Sequence, residues 1–147
     1  MAKYYFRKKI DFYTKWIIYG DRKGIRFCDT GDIPNQKTLI EIFDLVKGIT
    51  YELYKKGVDN LNGRFYIYST RHDLDWSQKP TNLILNASNE ELYKKVPDAN
   101  WFRVIDSFDN IPDEYNNPET LHICNCNCKC CDYCATCRNT IIWEVLG

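Results

Sequence analysis

No apolar run in the chain is long enough to cross a bilayer, and the start, MAKYYFRKKIDFYTK, scatters charge where an export signal needs an uninterrupted apolar stretch. Both absences lead to the expectation of a soluble chain in the cytosol with no membrane partner. Net charge is absent as well: 20 basic and 20 acidic side chains cancel, so whole-protein charge selects neither nucleic acid nor a charged surface as partner. The motifs G-x-x-x-x-G-K-[ST], G-x-G-x-x-G and G-x-S-x-G are missing, which removes sequence support for nucleotide and acyl-transfer chemistry. The zinc-deaminase pattern, H-x-E with P-C-x-x-C, is missing too. No internal repeat is present.

What is present suffices for one ordinary domain. The chain has 147 residues, 44% of them hydrophobic and 15% aromatic, enough apolar material for a core. Frequent Asn, Lys, Ile and Tyr, whose codons are rich in A and T, suggest a low-GC genome such as that of a Gram-positive bacterium, its phage or a mobile element. The charges that cancel overall are unevenly spread. Residues 1–28 hold Lys3, Arg7, Lys8, Lys9, Lys15, Arg22, Lys23 and Arg26 against Asp11 and Asp21, a basic end balanced by an acidic remainder.

Aromatic and β-branched residues crowd positions 3–28, and Gly20-Asp21-Arg22-Lys23-Gly24 separates two such runs as a turn, so two or three antiparallel strands are predicted there. Leu39, Ile42, Phe43, Val46, Ile49 and Leu53 recur at steps of three and four before Gly57, which predicts an amphipathic helix over about 35–56. Strands are predicted at 64–69, 81–86, 101–105 and 140–146, with a short helix at 89–95 that stops before Pro97. The fold class expected is α+β: a mostly antiparallel sheet packed on one long helix, with a cysteine-rich metal-binding insert ahead of a C-terminal strand. The domain reading is a core over 1–120, the cysteine-rich segment over 121–138, and a strand over 139–147 that returns to the core.

The segment HICNCNCKCCDYCATC, residues 122–137, holds seven of the eight cysteines. A cytosolic chain stays in a reducing pool, which argues against disulfides, and crowded free thiols invite oxidation. Metal is the reading that remains, with His122, Cys124, Cys126, Cys128, Cys130, Cys131, Cys134 and Cys137 as candidate ligands. Zinc holds sulfurs about 3.8 Å apart, whereas alternate residues of an extended strand stand roughly 6.7 Å apart, so the segment must bend to share an ion. Eight ligands could fill two four-ligand zinc sites or a cluster with bridging thiolates. The mixed C-x-C, CC and C-x-x-C spacing locally resembles metallothioneins, although those lack the aromatics of this chain. The alternative cofactor is an iron–sulfur cluster, because C-x-x-C-x-x-C opens the bacterial ferredoxin run; the x-x-x-Cys-Pro that follows it there is missing here. Whether Cys28 joins is open.

Two further constellations are weaker. Arg71-His72-Asp73-Leu74-Asp75-Trp76 gathers an imidazole and two carboxylates in a loop, and a polar solvated loop is the favoured reading over a catalytic one. Arg7, Lys8, Lys9, Lys15, Arg22, Lys23 and Arg26 lie among Tyr4, Tyr5, Phe6, Phe12, Tyr13, Trp16 and Phe27, the composition of a surface that stacks bases and neutralises phosphate. Alternation of core aromatics with outward charges explains the same pattern. No nucleophile or acid–base pair stands out. The function expected is a non-catalytic, zinc-stabilised binding protein that docks on a larger protein or nucleoprotein machine, such as a phage or mobile-element accessory or inhibitor. The alternatives are a nucleic-acid-binding protein using the basic aromatic N-terminal region, and an iron–sulfur or thiol redox protein.

Overall fold

The computed structural model describes residues 2–20, 24–28, 31–58, 65–105, 121–124 and 141–145. Its elements run α1 (Ala2–Tyr19), β1 (Ile25–Phe27), α2 (Gln36–Lys55), β2 (Phe65–Ser69), β3 (Leu83–Ala87), α3 (Glu90–Lys95), β4 (Asn100–Ile105), β5 (Leu121–Cys124) and β6 (Ile141–Val145). The strands form one six-stranded sheet in the order β1-β2-β3-β4-β6-β5, and every neighbouring pair is parallel. The expected antiparallel sheet on one long helix is therefore wrong. Parallel neighbours cannot be joined by tight turns and need crossover connections; α2 supplies the one between β1 and β2, and α3 the one between β3 and β4.

The second correction concerns the N-terminal region. Residues 2–19 form one helix where strands were expected, and only Ile25–Phe27 is a strand, parallel to β2. Phe6, Ile10, Tyr13 and Ile17 recur at steps of four, three and four along α1 and pack on the core, the stripe of an amphipathic helix. Aromatic and β-branched residues favour strands only weakly, and the packing of this stripe overrides them. Its partner is α2, where Gly48 lies so close to α1 that a Cβ there would sit 2.5 Å from Ile10 Cδ1.

The helix expected over 35–56 is present as α2. The side chain of Asn35 caps it, accepting from the Thr38 amide at 2.8 Å, and Leu39, Ile42, Phe43, Val46, Ile49 and Leu53 are buried along it. Against it the sheet presents Ile25, Phe27, Phe65, Ile67, Leu83, Leu85 and Ala87. Each fully buried Leu, Ile or Phe here contributes roughly 1.5–3 kcal/mol of transfer free energy. All five residues of β3 are buried, as expected for a central strand covered on both faces. On the other face Arg26 lies 4.3 Å from the centre of the Tyr68 ring, which meets Phe102 edge-on at 5.1 Å.

Candidate functional site

Because all six strands are parallel, their carboxyl ends lie along one edge of the sheet, the edge at which open α/β sheets bind ligands. At the ends of β1 and β2 the organising group is the Asp32 carboxylate. It accepts from the Ile33 amide at 2.8 Å, the Ser69 hydroxyl at 2.7 Å, the Thr70 amide at 2.9 Å and the Thr70 hydroxyl at 2.6 Å. Burial opposes its ionisation, but the bonds from Thr70, Ser69 and Ile33 together outweigh it and hold the carboxyl below its ordinary pKa. Beside it Cys28 has a left-handed backbone, with φ of 58°, and its thiol is pushed up by burial and then by the Asp32 charge. Burial and the neighbouring Asp32 charge both favour the neutral thiol at Cys28.

Arg71 ties this edge to the loop before α2. Its Nη1 donates to the carbonyls of Ile33 at 2.7 Å and Pro34 at 3.2 Å, while Nε and Nη2 grip Asp73 at 2.8 and 2.9 Å. Asn89 completes the edge: its amide donates to the Thr70 carbonyl at 2.8 Å, and its side-chain oxygen caps α3 at the Leu92 amide. These bonds commit the carboxylates of Asp32 and Asp73 to partners within the chain. The arrangement fixes the shape of the edge.

The loop singled out around His72 is a crossover without a helix. Leu74 and Trp76 are buried, with Trp76 6.0 Å from Phe43 between ring centres, so two loop side chains do the covering that a helix would do elsewhere. The Trp76 indole donates to the Arg71 carbonyl at 2.9 Å, and Gln36 both donates to and accepts from the backbone of Asp75. Lys95 donates to the carbonyls of His72 and Leu74, each at 2.7 Å. A cavity of about 320 Å³ lies behind the loop, bounded by Asp75, Trp76, Lys79, Lys95, Pro97 and Asp98. Lys79 is engaged there with the carbonyls of Pro80 and Leu83 and with Asp98. The His72 imidazole is exposed, and the loop is organised through its neighbours and its own backbone.

Of the candidate metal ligands, His122 and Cys124 lie on β5, in register with Ile142 and Glu144 of β6. Cys126, Cys128, Cys130, Cys131, Cys134 and Cys137 lie outside the described residues. Cys28 follows β1 and Cys124 ends β5, the two opposite edge strands, with four strands between them. The donor set of one imidazole and seven thiols suits zinc, and soft thiolates equally suit an iron–sulfur cluster. Of the basic candidates, Arg7, Lys8, Lys9 and Lys15 are exposed on α1 and Arg26 on β1, while Arg22 and Lys23 lie outside the described residues. The structure thus collects four of the seven on one helix instead of spreading them over strands.

Comparison of the chain with protein-family models, with curated proteins and with solved structures finds no match. Sequence reasoning missed the Asp32 network, and the only signal for it was an aspartate directly ahead of Ile33-Pro34-Asn35, between a strand and a helix cap.

Proposed function

We propose that the chain is a non-catalytic binding protein of a reducing compartment, in which a zinc-held clip fastens the β5–β6 half of the sheet and the molecule docks on a larger protein or nucleoprotein assembly. The observation that carries the clip is the parallel pairing of β5 with β6. Parallel strands require a connection that returns along their length, and a helix burying an apolar face usually supplies it. Residues 125–140, which join the two, contain no Leu, Ile, Val, Met, Phe or Trp and six cysteines. Such a sequence has almost nothing to bury on a sheet, so cohesion must come from another source. Metal–thiolate bonds provide it, with structural zinc contributing an apparent binding free energy of about 10–16 kcal/mol in small modules.

The strand order also reverses at β5, and the sheet has a second face, opposite α2. That face holds Ile84, Asn86, Asn100 and Ile142, all at 0–1% exposure and none part of the core beneath the helices. The residues expected to bind metal are His122, Cys124, Cys126, Cys128, Cys130, Cys131, Cys134 and Cys137. A coordinatively closed set of this kind would stabilise and would leave no position for a substrate. The binding role is further supported by the carboxyl edge, where Asp32 and Asp73 are held in internal bonds.

Elemental analysis and native mass spectrometry of protein purified without chelator test the clip. One or two zinc ions per chain, removed by chelation together with hydrogen-exchange protection of β5 and β6, is the expected result. A metal-free chain with protected β5 and β6 would overturn it, and a coloured sample containing iron and sulfide would replace it with the cluster.

A further inference from the structure

From the outward face of α1 we infer a binding site for single-stranded nucleic acid. The inference rests on the reading of the chain as a binding protein but not on the zinc clip. Lys8, Phe12, Lys15 and Tyr19 follow one another at steps of four, three and four, so they form a single line along the helix, opposite the core-packed stripe of Phe6, Ile10, Tyr13 and Ile17. Cation and aromatic ring alternate along that line. Phe12 is 60% and Tyr19 82% exposed, so both rings are open to a ligand. Arg7 and Lys9 are further exposed cations on the sides of the helix, and Asp11 is the single acid of α1.

The aromatic part is ordered in advance. Phe12 meets Tyr13 and Trp16 edge-on at 5.3 and 5.7 Å, and Tyr13 stacks on Trp16 at 6.0 Å with an 11° tilt. Between these rings and the end of the helix runs an open groove of about 430 Å³, lined by Phe12, Lys15, Trp16, Tyr19 and Gly20. Gly20 permits the groove. A Cβ there would stand 2.4 Å from the Trp16 carbonyl oxygen and 2.7 Å from its Cδ1, so any larger residue would displace the indole.

The chemistry of the line selects its occupant. Lysines seven residues apart are about 10 Å apart along the axis, with a ring between them and another beyond. A flexible strand that alternates phosphate with a flat base can place charge on the lysines and bases on the rings; stacking on aromatics is indifferent to sequence. A membrane surface fits less well, because the isoleucines of α1 do not lie on this line: Ile17 is buried, and Ile10 and Ile18 pack on the core. An acidic protein would satisfy the lysines but leave two exposed rings without flat partners.

Fluorescence anisotropy of labelled oligothymidine and oligouridine of about 20 nucleotides, titrated with the full chain, tests the site. Expected is binding whose affinity falls with salt at a logarithmic slope of roughly 2–3, the value for three or four phosphates neutralised on a single strand. Lys8→Glu with Lys15→Glu should cut affinity at least tenfold and lower the slope, whereas Phe12→Ala with Tyr19→Ala should cut affinity similarly and leave the slope unchanged. All four residues are exposed, so circular dichroism should report an intact fold in both variants. Absence of binding at low salt, wild-type affinity in both variants, or retention on anionic phosphatidylserine vesicles in place of the oligonucleotides would each overturn the assignment. Repeating the titration after chelation separates this site from the clip: binding should persist, and loss of binding on chelation would assign it to the cysteine segment.

Discussion

Asn100 donates its side-chain amide to the side-chain oxygen of Asn86 at 2.9 Å across neighbouring parallel strands, and both residues are at 0% exposure. The two are paired in the β3–β4 register, which extends only over Asn86↔Asn100 and Ala87↔Trp101. A polar pair at that short join favours one alignment over its neighbours, since a slip by one residue would bury each amide against an apolar side chain.

Asn100→Ala should therefore destabilise the fold by about 1–3 kcal/mol, the usual cost of removing one partner of a buried hydrogen bond. Replacing both residues by leucine should cost less than the sum of the two single changes. Urea unfolding of the double-mutant cycle measures the difference, and a coupling energy near zero would show that the bond contributes nothing to stability.

The Asp32 network predicts a pH dependence. Its carboxyl titrates below the ordinary value in the folded chain, so its contribution is complete above the unfolded pKa near 3.9 and is lost as pH falls through the lower folded value. Asp73 is also lowered, held by Arg71 at about 2. Asp32→Asn should cost about 1–2 kcal/mol at pH 7, towards the lower end because the edge is partly solvated. The gap between wild type and variant should narrow as the solution is acidified from pH 5 to about 3. A gap that stayed constant over that interval would show that ionisation of Asp32 does not stabilise the fold.

Which parts of this architecture could be read in advance follows from what each residue type encodes. α2 was legible because its cap, Asn35, and its apolar stripe from Leu39 to Leu53 both point to one helix. α1 reads as strands because Tyr, Phe, Trp and Ile fit strands by propensity, although the three- and four-residue spacing of Phe6, Ile10, Tyr13 and Ile17 is that of a helix. β2, β3, β4 and β6 are close to their expected positions, but their direction depends on the connections. The crossover from β2 to β3 is a loop carrying Leu74 and Trp76, so no alternation of strand and helix announced it. β5 is hidden in the sequence because His122 and Cys124 already belong to the candidate metal-ligand pattern. The contiguous LILNA of β3, buried at all five positions, was the one local sign of a parallel sheet. The Asp32 site joins residues 37 and 38 positions apart, a distance over which spacing carries no information.

The contact between Gly48 and Ile10 offers a direct test of helix packing at the N-terminus. A Cβ at Gly48 would lie 2.5 Å from Ile10 Cδ1 and 3.1 Å from its Cγ1, so Gly48→Ala must push the end of the isoleucine aside or separate the helices. Alanine gains about 1 kcal/mol of helix propensity over glycine, while overpacking costs about 1–3 kcal/mol, so a net loss of roughly 1 kcal/mol is expected. Ile10→Val removes the Cδ1 atom and should by itself cost about 0.5–1.5 kcal/mol. Combined with Gly48→Ala it should cost less than the two changes separately, because the new methyl occupies the space that was vacated. Had residues 2–19 formed strands, no such coupling between positions 10 and 48 would arise, and strictly additive thermal unfolding data would count against the packing of α1 on α2.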